Sequence, residues 1–173
     1  MTKRHVRRVL VVVAAMVATA GLLVTLRVGA ASAFDATRSM CYQVSVAGAG
    51  YGPRICNGDP AGPTNSSQHT DALSLVQSGA GQLCVSVYLN NFGQQGQRCA
   101  GGSTPFEVGL PGQGYDISGM QWTNTTGRLC VRFYAIFDSG DQGWYGPTCN
   151  NGGFDIGSFG VRGRIGAVAM YFD

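Results

Sequence analysis

Beyond residue 33 the chain has no lysine, one histidine, His69, and one glutamate, Glu107. Five of its 12 basic residues, Lys3, Arg4, Arg7, Arg8 and Arg27, lie before that point, and all nine acids lie after it. Residues 34–173 therefore carry seven basic and nine acidic side chains, a net of −2. A segment without lysine or a basic stripe lacks the electrostatic footprint of a nucleic-acid binder, so no nucleic-acid partner is expected. No C-x-x-C occurs, which removes the usual zinc and thioredoxin-like signatures. No G-x-S-x-G occurs either. Outside the first 33 residues, no stretch shows the 3.6-residue apolar period of an amphipathic helix.

The catalytic inventory is correspondingly thin. Ser66, Ser67, His69 and Asp71 are sequence neighbours in a polar loop, whereas hydrolase triads draw their members from separate segments. Glu107, Asp59, Asp71, Asp116, Asp138, Asp141 and Asp155 are scattered through Gly-rich turns, where acids commonly serve turn chemistry. Asp138–Gly143 lacks the ligand spacing and closing Glu of a calcium-binding EF-hand loop. The expectation is a non-enzymatic chain without metal or cofactor. A small secreted glycoside hydrolase, which needs two facing carboxylates, is the lesser alternative.

What the chain does have begins with a leader. MTKRHVRR is basic, Val9–Leu26 is an apolar run without charge, and Ala31-Ser32-Ala33 is an A-x-A cleavage signal. This is the pattern of a secretory signal peptide over residues 1–33, leaving a mature chain from Phe34. The run is also long enough to be retained as a membrane anchor. The expected localisation is extracellular, with no membrane span after cleavage. The 34–173 segment suits one domain.

That segment repeats itself. GQLCVSVYL (81–89) returns as GRLCVRFYA (127–135), and more loosely as RSMCYQVSV (38–46). A period of about 45 residues marks a repeat architecture. The units run over about 38–80, 81–126 and 127–173. Each has a head strand opening at a cysteine, a Gly-rich turn, and a short return strand ending at a second cysteine. A Gly/Asn/Pro-rich loop follows, and then an alternating tail: DALSLV, ISGMQW or IGAVAM. Period-two alternation indicates half-buried strands. The expectation is an all-β, pseudo-threefold domain of three short-stranded units, β-prism-like, with a β-trefoil as the alternative. One unit cannot bury its own apolar face. Leu73, Leu75, Met120, Trp122, Val168 and Met170 should form the shared core, joined in part by Val44, Val46, Val85, Val87, Val131 and Phe133.

Six cysteines in an exported chain read as three disulfides. Of the 15 possible connectivities, pairing within units is the simplest: Cys41–Cys56, Cys84–Cys99 and Cys130–Cys149.

The third unit, with Tyr134, Gly143-Trp144, Asn151-Gly152, Arg164, Ile165, Ala167 and Val168, resembles the clostridial hydrophobic repeat with a conserved tryptophan (ChW). The first unit matches through Gly50-Tyr51, Asn57-Gly58, Ala61-Gly62 and its DALSLV tail. The second has Gly93-Gln94 in place of Gly-Trp. The paired cysteines depart from the usual repeat. The resemblance implies a secreted or surface protein of Gram-positive bacteria engaged in adhesion or polymer binding. The ricin-type β-trefoil lectin also has three units with a Gly-x-x-Cys strand and an intra-unit disulfide. Its Gln-x-Trp should follow the second cysteine, whereas Gln142-Gly143-Trp144 precedes Cys149.

Aromatic side chains are the strongest binding candidates. Trp144 and Tyr145 fall in the longest inter-cysteine turn, among Gly, Asp and Gln, and Tyr51 takes the matching place in the first unit. Exposed rings flanked by amides and acids suit stacking on sugar faces. The expected function is recognition of carbohydrate or another cell-wall or surface polymer, with Trp144, Tyr145 and Tyr51 as ligand contacts. The competing expectation is a structural or self-associating surface protein without a soluble ligand.

Overall fold

Thirteen strands and no helix make up residues 37–65, 67–157 and 163–173, the parts of the chain described by a computed structural model. The leader expected over residues 1–33, the expected N-terminus at Phe34, and Ser66 fall outside the described residues. The strands form three antiparallel sheets, none closed into a barrel.

All three sheets are assembled by one rule. In the first, the head strand β1 (Ser39–Val46) is flanked by the short return strands β2 (Gly50–Tyr51) and β3 (Ile55–Cys56) and by the tail β4 (Thr70–Ser78). In the second, β5 (Gln82–Leu89) lies between β6 (Gly93–Gln94) with β7 (Arg98–Gly101) and the tail β9 (Ile117–Asn124). In the third, β10 (Leu129–Phe137) lies between β11 (Gln142–Asn150) and the tail β13 (Gly163–Phe172). The third unit's longer inter-cysteine segment lets its return run as one nine-residue strand where the others break in two.

The far edge of each tail takes chain from the next unit. β8 (Phe106–Gly109), from the second unit, pairs with β4, and β12 (Gly153–Gly157), from the third, pairs with β9. Ala61, from the first, bridges Val168 of β13 and closes the cycle. The registers correspond: Val108 faces Leu73, Ile156 faces Met120 and Ala61 faces Val168. A bulge recurs too, at Ser45/Val46, Tyr88/Leu89 and Tyr134/Ala135, where the tail skips Asp71, Ser118 and Gly166. The skipped residue turns its carbonyl out of the ladder. A glycine of the crossing segment lies against each of these carbonyls: Gly109 on Asp71, Gly157 on Ser118, Gly62 on Gly166. Each has positive φ (93°, 88° and 103°), and a Cβ at any of them would run into the carbonyl oxygen. Only glycine fits both the dihedral and the space.

The inward residues of all three sheets form one core. Leu73, Leu75, Met120, Trp122, Val168 and Met170 are fully buried and share a single cluster with Val44, Val85, Val87 and Val131. Val46 and Phe133 pack at its margin. At roughly 1.5–3 kcal/mol for each large apolar side chain buried, no single unit could supply that stabilisation alone. Trp122 stacks on Phe154 of the neighbouring unit's crossing strand, with centroids 6.4 Å apart and planes 15° apart. Where β13 has a single bridge to described residues on its outer edge, side chains bond to its backbone. The Tyr42 hydroxyl accepts from Met170 N (3.0 Å) and donates to the Asp59 carbonyl, and Thr70 Oγ1 donates to the Gly166 carbonyl (2.6 Å).

The disulfides are Cys41–Cys56, Cys84–Cys99 and Cys130–Cys149, each joining directly opposed residues of a head strand and its return. No cysteine is free. In the chain-entropy account each such loop contributes about 3 kcal/mol. Three disulfides indicate an oxidising environment for the folded chain.

Candidate functional site

Alternation along the head strands sets up three outward faces. Val44, Val85 and Val131 go to the core, so Gln43, Ser86 and Arg132, each two residues after a cysteine, face outward beside them. The residue two further on, Ser45, Tyr88 or Tyr134, lies opposite Tyr51, Gln94 or Trp144 on the return strand. The tails contribute Ser74, Gln121 and Ala169 at matched positions. The crossing strands place Glu107 opposite Ser74 and Asp155 opposite Gln121. Counting back from Ala61, the matching place in the third sheet is Pro60. Each face thus draws on two units, and no two faces have the same chemistry.

On the first face the Tyr51 hydroxyl donates to Glu107 Oε2 of the next unit, and Gln43 Nε2 donates to the Gly52 carbonyl (3.0 Å). Tyr51 is 38% exposed. Partial burial, and then the neighbouring carboxylate, push its hydroxyl pKa above the usual tyrosine value, so it stays a neutral donor. Glu107 also lines an open cleft of about 730 Å³ between the 95–99 hairpin and β8, together with Gln95, Gln97 and Arg98. That volume falls in the usual range for small-molecule sites.

The second face is a web of amides beside the half-buried Tyr88. Gln94 Nε2 donates to Ser86 Oγ (3.4 Å) and Gln121 Oε1 (3.4 Å), and Ser86 Oγ donates to Gln121 Oε1 at 3.5 Å. These bonds are long, and they engage Gln94 Nε2 and Gln121 Oε1 within the web.

The third face is aromatic and cationic. The Arg132 guanidinium lies over the Trp144 ring, 4.4 Å from its centroid. Tyr134 meets the same ring edge-on at 5.7 Å. Trp144 is half-buried and held in β11, not carried at a bare loop tip as the turn composition predicts. The four extra residues of this hairpin extend its ladder and take Trp144 into a strand. Tyr145 turns to the opposite side, stacked on Phe133 (5.7 Å) and edge-on to Phe137 (5.8 Å). The paired rings expected from Trp144-Tyr145 are therefore split between two faces. Tyr145 is 43% exposed. Tyr51 and Trp144 do take matching stations, as expected. Gln43, Glu107 and Arg132 were not among the expected ligand contacts, and Glu107 was weighed only as a catalytic acid. Alternation within CVRFYA, which puts Arg132 opposite in phase to Val131 and Phe133, was the available signal.

Glu107 and Asp155, the acids that the crossing strands bring to the outer faces, belong to different sheets. His69 has no contact with Asp71 resembling a triad. Its Nε2 instead approaches Asp116 Oδ1 to 2.7 Å, without an aligned hydrogen bond. His69, Asp116 and Arg164 are matched positions, each two residues before the residue its tail skips at the bulge. Burial raises the Asp116 pKa above the ordinary carboxylate range, while His69 and Arg164 oppose that rise. Asp71 accepts from Gly112 N at 2.8 Å and fixes the loop after β8. In the hairpin at 138–142, Ser139 Oγ donates to Asp141 Oδ2 at 3.0 Å, a local turn contact.

The chain has no match among protein-family models, curated proteins or solved structures. The resemblance to the clostridial repeat accordingly rests on the residues quoted for it.

Proposed function

We propose that the mature chain is a secreted, non-enzymatic binding module that recognises carbohydrate or another cell-surface polymer through the outward faces of its sheets. The observation that carries this reading is the matched station on each face, Tyr51, Gln94 or Trp144. Each is a planar side chain ringed by amide, carboxylate or guanidinium groups that the core does not use. Rings present a stacking surface, and the flanking groups offer donors and acceptors to hydroxyls. The cleft beside Glu107 supports the same reading on the first face. The expected site residues are Tyr51, Glu107 and Gln43 on that face and Trp144 on the third. Tyr145 is not part of either group.

The test is retention of the folded protein on a panel of insoluble polysaccharides, followed by affinity measurement. Retention on at least one, weakened by Trp144→Ala and less by Tyr51→Ala, is expected. A folded protein retained on none contradicts the proposal.

Self-association is the second reading, favoured by the outer edge of β13, which among the described residues is bridged only at Val168. An unpaired strand edge is a template for another strand. Sedimentation of the native protein as a concentration-dependent oligomer, joined with loss of all polymer binding, would select it.

A further inference from the structure

Arg132 breaks the pattern of the other two faces in three ways. Its station holds Gln43 and Ser86 elsewhere, so a neutral polar group has become a fixed cation. The acid that the crossing strand brings to those faces, Glu107 or Asp155, is absent here, where Pro60 takes the place. The tail also offers nothing to bind it. Arg132 lies opposite Ala169, and Tyr134 opposite Ala167, where the first two tails have Ser74 and Gln121 opposite the head-strand residue.

Among the described residues the guanidinium has no counter-ion. Arg128 pairs with Asp173 at 2.7 Å, but Arg132 has no ion pair with any described residue. Asp59 lies on the crossing segment and makes none with it. Arg132 Nε is buried without a hydrogen-bond partner. The terminal nitrogens are not buried in that way and make no hydrogen bond to a described residue. Stacking on Trp144 fixes the plane of the group. An oriented guanidinium fork with unmet donors, on a segment whose net charge is −2, is complementary to a carboxylate or phosphate, which it can hold bidentately. The adjacent Trp144 and Tyr134 rings offer a surface for the body that carries the anion.

We propose that the outer face of the third sheet is an anion-selecting subsite, with Arg132 holding a carboxylate or phosphate borne on a sugar or polyol polymer and Trp144 and Tyr134 packing against its backbone. This rests on the binding-module reading above and adds to it the class of ligand at one face.

The experiment compares polygalacturonate, its methyl ester and poly(glycerol phosphate), using native protein, Arg132→Gln and Arg132→Lys. The ester removes the charge and keeps the sugar. Native protein should prefer a charged polymer to the ester, and the preference should shrink as salt is raised. Arg132→Gln should lower affinity for the charged polymer by about tenfold or more and bring the charged-to-ester ratio near one. Arg132→Lys should keep part of the preference, having the charge without the fork. Which polyanion is preferred distinguishes carboxylate from phosphate. Equal affinity of native protein for the acid and the ester, with poly(glycerol phosphate) no better, overturns the subsite and leaves the binding module standing. An unchanged preference in folded Arg132→Gln also overturns it. No binding to these three or to any insoluble polysaccharide overturns both readings. Should Arg132→Gln fail to fold, the native preference and Arg132→Lys decide.

Discussion

The two tryptophans of this chain sit in neighbouring sheets and do opposite things. Trp122 is on a tail strand, inward, fully buried, and stacked on a phenylalanine from the next unit. Trp144 is on a return strand, outward, half-buried, and covered in part by an arginine. Trp122 helps three incomplete units share a core. Trp144 lies on a face whose other residues contribute little to that core. The units repeat where the core needs them to, and differ where the outer faces allow it. The second face links its amides to one another, the first sets a tyrosine hydroxyl against a carboxylate, and the third carries a cation with no ion pair among the described residues.

That contrast can be broken by substitution. Trp122→Ala should be the most damaging change, removing the largest fully buried side chain at a cost of about 3–5 kcal/mol in denaturant unfolding. A loss below 1 kcal/mol would place Trp122 outside the core account. Gly109→Ala should cost about 1–3 kcal/mol, because the new Cβ meets the Asp71 carbonyl at positive φ. Gly152→Ala is its control, since it too has positive φ but open space around it. If both substitutions cost the same, the tight seat on the bulged carbonyl contributes nothing. Trp144→Ala should lower stability by only about 0.5–1 kcal/mol, the size of an exposed cation–π contact. It should lower polymer affinity by about 1–3 kcal/mol if sugar stacking resembles base stacking in size. Tyr51→Ala should cost less affinity, and Gln94→Ala least, because Gln94 is already engaged with Ser86 and Gln121. An inverted order across isothermal titrations of the three would reassign the main face.

Much of the core was legible in the sequence, and for a physical reason. Alternation reports which residues of a strand face inward, so Leu73, Leu75, Met120, Trp122, Val168 and Met170 could be named from it, and all six are buried. Cysteine spacing reported the within-unit bridges because each spans one hairpin. The crossing strands were not legible. β8 and β12 lie in Gly- and Pro-rich stretches that read as loops, and their partners are on another unit's tail. The bulges at Asp71, Ser118 and Gly166 were hidden likewise, being features of pairing and not of composition. The outer faces suffered most, since each combines residues from two units. Glu107 reads as a lone acid in a turn until β8 brings it to Tyr51. Trp144 and Tyr145 read as one aromatic patch, but once the hairpin extends into a strand, neighbours must point to opposite sides.

The account's central claim is that ligand meets the outward faces and leaves the shared core alone. With only two tryptophans in the chain, an amide-correlated NMR spectrum carries two indole N–H signals, which Trp144→Phe assigns. Titration with whichever polysaccharide retains the protein should shift or broaden the Trp144 signal progressively while the Trp122 signal stays in place. A Trp122 signal that moves first, or a Trp144 signal that stays fixed through saturation, would contradict the account.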